Sequence, residues 1–287
     1  MTGPEPVSRP FPLGWRSLVL FSLLGVGLVS WFSLGIHFED LVPGEGGGKV
    51  VIDFFSQAVQ PALDYESEAP LGADPLLLQA AKAAWRTLVF AAAAMMLSLV
   101  IGFLLGFPAS TSWWSGNPYL PKAVTSSLFG GTRILITLMR SVHELLWAVL
   151  FLSAFGFNTF SAVIAISIPY GGTLAKIFSE MIDEAPRNAS GALRMAGGSG
   201  LQVFFFGLLP RALPDMMAYA FYRFECAVRS SAILGFFGYQ TLGYFIRGSF
   251  DNLHFGEVWT YLYTLFFLVF ILDAWSGALR KRFLAYE

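Results

Sequence analysis

The chain has 287 residues, of which 55% are hydrophobic and 13% charged, with 29 phenylalanines and a formal net charge of −1. So few charges exclude an ordinary water-soluble domain, and the near-zero balance offers nothing to nucleic acid. A single cysteine, Cys226, excludes an intrachain disulfide and a multi-cysteine metal site.

Apolar segments recur along nearly the whole chain, so the expected fold is all-α and integral to a membrane, with six transmembrane helices. The first, Ser17 to Ile36, is an apolar run of twenty residues behind Arg9 and Arg16. It is longer than a signal-peptide core and lacks a small-residue cleavage site, so it reads as a retained helix. The others fall at about Trp85 to Phe107, Val124 to Phe155 (long and broken), Phe160 to Phe178, Leu213 to Phe237 and Val258 to Leu279. With the N-terminus inside, Arg9, Arg16, Lys122, Lys176, Arg187, Arg194, Arg211, Arg280, Lys281 and Arg282 lie at inner ends. Lys49 and Arg247 are left outside, and Lys82 and Arg86 lie near an outer boundary. That asymmetry puts both termini in the cytoplasm.

The chain divides into 1–36 (cytoplasmic N-terminus and first helix), 37–80 (an extracytoplasmic segment) and 81–282 (the membrane core). In the outer segment, Val51, Phe54, Phe55, Ala58, Val59 and Ala62 of "VVIDFFSQAVQPAL" follow helical spacing, which suits a helix on the membrane surface or on the protein's own outer face.

Three patterns imitate chemistry. "GEGGGKV" at Gly44 has Pro43 in place of the first glycine of a phosphate loop and Val50 in place of its hydroxyl residue, and reads as a flexible loop. "HELLW" at His143 has Trp147 where a zinc helix needs its second histidine. Asp251, His254 and Glu257 have ligand-type side chains in a polar loop, where solvated surface is the simpler reading. No catalytic residue, no metal site and no enzyme activity follow.

The most informative stretch is "EAPRNASGALRMAGGSGLQVFFFGLLPRALP", Glu184 to Pro214. Pro186 suits the first turn of a short helix running to about Met195. Gly197 and Gly198 force a turn, and Ser199 caps a second short helix that Pro210 ends. The elbow is too polar to span, and its apolar positions Ala192, Leu193, Ala196 and Leu201 suit a soluble partner. In order, Ala192, Gly197 and Leu209-Pro210 resemble the "EAA…G…I-LP" loop of ABC-importer permeases, with Gly191 where that pattern has Glu and Gly207 where it has Ile.

"LAKIFSEMID" upstream, "YRFECAVRSSAILGFFG" downstream, and Asp273, Ser276 and Arg280 resemble the branch that imports phosphonates, phosphite or hypophosphite. "RSVHELLWAVLF" at Arg140 fits with His143 for a usual proline, and "GYQTLG" at Gly238 replaces a glycine-rich "GxGGxG". The resemblance covers roughly Arg133 to Arg282. It implies a type I importer transmembrane domain, methionine-permease-like in its core, with Glu184 to Pro214 as the cytoplasmic coupling loop. It also implies a homodimer that takes substrate from an extracytoplasmic binding protein. Two ABC ATPase subunits would supply ATP and magnesium, this chain binding no cofactor. Ala192, Leu193, Gly197, Leu201, Leu209 and Pro210 are the expected ATPase-coupling positions. Other readings are a permease of the same fold for methionine or an organic anion, and a secondary transporter, although no internal repeat supports the latter.

Charges inside the fifth span carry the substrate argument. Rising about 1.5 Å per residue from Asp215, Glu225 lies roughly 15 Å into a ~30 Å hydrocarbon core. A mid-membrane charge costs on the order of 2.5 to 3.5 kcal/mol, so these side chains face protein or a wet path. Glu225 and Arg229 are spaced i, i+4 for pairing, Arg223 lies elsewhere on the helix, and Glu144 is at i+4 of Arg140. An oxyanion needs positive charge and hydroxyl donors, which makes Arg140, Ser141, Arg223, Glu225, Arg229, Ser230 and Ser231 the expected substrate pathway. The Glu225–Arg229 pair alternatively fixes helix packing. Gly235, Gly238, Gly243 and Gly248 read as close packing or a gate near the outer end of that span.

Overall fold

The computed structural model describes residues 14–37, 42, 44, 46–67, 72, 74–114 and 121–284, with side chains to Lys281. Expectations for Arg9, Pro43 and the Arg282 side chain lie outside these residues. The chain separates into two units, Met1–Phe55 and Ser56–Glu287.

In the first unit, α1 (Trp15–Ser33) is apolar on every face and has no buried residue. Such a uniform apolar surface suits lipid or another helix. Helix α2 (Gly47–Ser56) begins inside the glycine run, so Gly47 to Val50 form its first turn rather than a flexible loop. The helical spacing expected as far as Ala62 stops at Ser56. Pro61 lacks an amide proton, and the Ala62 amide donates instead to the Gly256 carbonyl at 3.1 Å.

The second unit is built around α3 (Leu76–Ala109) and α7 (Thr159–Glu184). Their contact is stripped of bulk, because a Cβ on Gly171 would stand 2.7 Å from Ile101 and one on Gly102 2.8 Å from Leu174. Small residues let the two backbones approach, and the Ser167 hydroxyl bonds across the seam to the Ala94 carbonyl at 3.1 Å. Against this pair pack α5 (Lys122–Ser141), α6 (Glu144–Phe155), α10 (Leu209–Ile233) and α12 (Phe255–Leu284). The short helices α4 (Thr111–Trp114), α8 (Asn188–Met195), α9 (Gly200–Gln202) and α11 (Leu242–Asp251) lie at the ends of the bundle.

Four helices, α1, α3, α7 and α12, are long and apolar enough to cross a membrane. The α5–α6 pair, bent by 91°, makes five if it is one span. Helix α10 has the length, at 25 residues, but Arg211, Asp215, Arg223, Glu225 and Arg229 keep it out of that set. Helices α3, α7 and α12 overrun the expected spans at both ends, whereas α1 stops at Ser33, short of Ile36, and α10 at Ile233, short of Phe237.

One end of the bundle holds α4, the C-terminus of α7 and the elbow. Asp183 ties it together, accepting from the Ser110 hydroxyl at 2.7 Å and from the Thr111 and Ser112 amides at 2.9 and 3.0 Å. At the other end, residues 58–67 are strapped onto α12. The Glu66 amide donates to Glu257 Oε1 at 2.9 Å and the Glu257 amide to Glu66 Oε1 at 3.2 Å. Glu257 is buried and also accepts from the Ser249 hydroxyl at 2.8 Å, which corrects its reading as solvated surface. His254 faces it at 3.7 Å, while Asp251 pairs with Arg247 at 3.5 Å and is exposed.

Candidate functional site

Helix α10 presents two polar faces. On one, Arg223 Nε donates to the Tyr219 hydroxyl at 3.0 Å, and its guanidinium carbon lies 5.3 Å from the Tyr170 ring centre and 5.7 Å from that of Tyr219. The aromatic faces hold the cation where a carboxylate could have been placed. Tyr170 comes from α7, and its hydroxyl lies 2.8 Å from Ser230 Oγ. Ser230, which is buried, donates to Glu144 Oε1 at 2.9 Å. An ionised carboxylate only accepts, so the single Ser230 proton goes to Glu144 and Tyr170 donates to Ser230. A directed line thus runs Tyr170 to Ser230 to Glu144, with Arg223 against its first ring.

On the other face Glu225 and Arg229 pair at 3.2 Å, as their spacing predicts; Glu225 is 14% exposed and Arg229 54%. Ser231, next to Ser230, is fully buried, and its hydroxyl has no partner among the described residues.

Arg140 and Ser141 lie at the end of α5 and are exposed. The i, i+4 spacing of Arg140 and Glu144 does not become an ion pair. Val142 is extended and α6 starts afresh at Glu144, so the two are no longer one turn apart, and the Glu144 carboxylate turns to Ser230 and to His143 at 3.6 Å. Arg140 instead lines a cavity with Arg133, Lys176 and Glu180. Among the described residues no hydrogen bond joins Arg140 or Ser141 to Arg223 or Ser230. Tyr170 and the bonding of Glu144 were missed by sequence reasoning, since a tyrosine after Pro169 in an apolar helix has no periodic signature.

In the elbow, Pro186 closes α7 instead of opening the next helix. It forces Ala185 to extended backbone, and α8 begins at Asn188. Gly197 turns the chain at φ +87°. Ser199 then caps α9 as expected, in a reciprocal capping box with Gln202. Pro210 does not end this helix. A π-helical stretch, Val203–Leu208, joins α9 directly to α10, and Pro210 sits in the first turn of α10, where its missing N–H costs little. Ala192, Met195, Ala196 and Leu201 are exposed, as are Gly197 and Pro210, while Leu193 and Leu209 are half-buried. Gly207 has a steric reason, since a Cβ there would stand 2.9 Å from Ser190 Cα.

Beyond α10, Gly235 and Gly243 are packing glycines, because Cβ atoms there would collide with the Tyr244 and Ala232 backbones. Gly238 makes a left-handed turn at φ +97°, and Gly248 faces open space.

A helical core with membrane-spanning elements, a short elbow at one end and partly buried charges on the adjoining helix suits a membrane transport subunit. A family model, the binding-protein-dependent transport system inner membrane component, matches residues 87–284, and the chain belongs to that family. It is 32% identical over 200 residues to the phosphite transport system permease protein PtxC of Stutzerimonas stutzeri, covering 69% of this chain and 68% of that one. It is 30% identical over 156 residues to the phosphate-import permease protein PhnE of Mycolicibacterium smegmatis, covering 54% and 29%. Among solved structures, an inward-facing MetNI methionine ABC transporter superposes with a TM-score of 0.63 at 19% identity, covering 74% of this chain and 99% of that chain. The protein is therefore a multi-pass, all-helical inner-membrane permease of an ABC importer, a non-catalytic subunit that works with an ATPase and a binding protein.

Proposed function

We propose that this permease carries a phosphorus oxyanion (phosphonate, phosphite or hypophosphite) into the cytoplasm. The observation that carries the reading is the 32% identity to a phosphite permease over more than two thirds of each chain. The site's chemistry supports it. Arg223, held on aromatic faces without a carboxylate partner among the described residues, and the Tyr170 and Ser230 hydroxyls offer positive charge and O–H donors, the needs of a tetrahedral oxyanion. Glu225 beside Arg229 would keep that arginine from holding the anion too tightly.

In this reading α10 is the pathway helix and the fifth of six spans, and both termini are cytoplasmic. The chain acts as a homodimer with two ATPase subunits, which bind ATP and magnesium, and a binding protein delivers substrate on the outer side. The exposed apolar face of α8 and α9 docks on the ATPase, and alternating access follows from ATPase closure acting through the elbow on α10.

The test is reconstitution with the ATPase and binding protein, scoring ATP hydrolysis stimulated by phosphonate, phosphite, hypophosphite and methionine. Stimulation by at least one phosphorus oxyanion is expected. Stimulation by methionine alone would overturn the substrate assignment.

A further inference from the structure

The line of donors from α7 to α10 ends on a carboxylate, an odd terminus for a site meant to receive anions. Resting on the anion-permease reading above, we infer that Glu144 is a resident counter-anion: it occupies the Ser230 hydroxyl that an incoming phosphorus oxyanion requires, and substrate must displace it. A carboxylate oxygen and a phosphoryl oxygen make the same demand on a hydroxyl, so the two compete for one proton.

Three observations point this way. First, the bonding is directed. Tyr170 at 2.8 Å and Ser230 at 2.9 Å both pass their protons toward Glu144, while Arg223 lies against the same tyrosine and is not neutralised by Glu144 among the described residues. A purely structural ion pair would have closed the carboxylate onto the cation. Second, Trp147 lies one turn along α6 from Glu144, and its buried Nε1–H has no acceptor among the described residues. A buried donor is normally satisfied, so an unpaired N–H one turn from Glu144 marks this stretch of α6 as short of acceptors among the described residues. Third, Glu144 is the first residue of α6, directly after the 91° break at Val142 and His143. Those two residues can swing the carboxylate away without unfolding either helix. The side chain is 22% exposed, which leaves it open to exchange.

The test is phosphite binding to the permease–ATPase complex in nanodiscs, without binding protein, followed by phosphorus NMR titration. Glu144→Gln keeps size and an acceptor oxygen but loses the charge. It should tighten phosphite binding about tenfold, whereas Ser230→Ala should weaken it about as much, the scale of one charged hydrogen bond. Glu144→Asp draws the carboxylate back from Ser230 and should tighten binding about twofold to threefold by the same measure, which decides the matter should Glu144→Gln fail to accumulate. Unchanged or weaker binding in the Glu144 variants would overturn the inference and leave the contact as a pin on α6. Uptake by the complete system separates the two readings. Phosphite uptake by the wild type together with wild-type affinity in Glu144→Gln removes this inference alone. No uptake of any phosphorus oxyanion removes the substrate assignment and this inference together.

Discussion

Arg223 and Arg229 lie on the same helix in different surroundings, and their substitution should separate them. Arg223 is half-buried against two tyrosines, so Arg223→Gln removes the cation held on their rings, and phosphite uptake should fall about tenfold or more. Arg229 is 54% exposed and paired with Glu225, a geometry worth roughly 0.2–1 kcal/mol, so Arg229→Gln should change uptake no more than about fivefold. Initial uptake rates at matched membrane expression measure both, and equal losses would contradict the distinction. Pairing within α10 was legible because i, i+4 spacing is local. The Tyr170–Ser230 and Ser230–Glu144 bonds span 60 and 86 residues, and only the packing of α7 and α6 on α10 creates them.

At the level of elements, apolar runs of helical length announced the long helices, because lipid leaves the backbone little other choice. Their ends were less legible, since past the apolar stretch they depend on partners far away in sequence. Asp183 is such a partner. It closes "LAKIFSEMID", yet it caps α4 some seventy residues earlier through three hydrogen bonds. Asp183→Asn keeps the size but gives up the charge, and should cost about 1–2 kcal/mol, the scale of a lost helix cap. Thermal unfolding of the detergent-solubilised protein would register it as a lower Tm.

The elbow offers the opposite experiment. A Cβ on Gly191 meets nothing within 4 Å, whereas one on Gly207 presses on Ser190. Gly191→Glu should therefore fold normally, gain roughly 0.5–1 kcal/mol of helix propensity and, in the proposed role, strengthen co-purification with the ATPase. Gly207→Ile should weaken it by lifting the π-helical stretch off α8. The expectation that Pro210 stops a helix failed because proline is harmful in a helix interior and tolerated in a first turn, and the π stretch supplies a new first turn at Leu209.

Across the whole molecule, α10 separates two kinds of end. Its 25 residues span about 37 Å at the helical rise, with the elbow before it and α11 and the Glu66–Glu257 strap after it. In a Cys226→Ser background, a cysteine at Met195 and one at Asn252 should react with an impermeant thiol reagent from opposite sides of sealed vesicles. Reaction from the same side would refute the proposed topology. The single native cysteine makes the scan clean.

Because the π-helical stretch leaves no loop between Gly200 and Ile233, α9 and α10 form one shaft. A shaft carries torque as well as thrust. Rolling α9 on an ATPase surface would turn the α10 side chains around their own axis, so that Ser230 could leave Glu144 by rotation without any change in depth. The wide π turn at Val203–Leu208 would then set how much of the twist arrives.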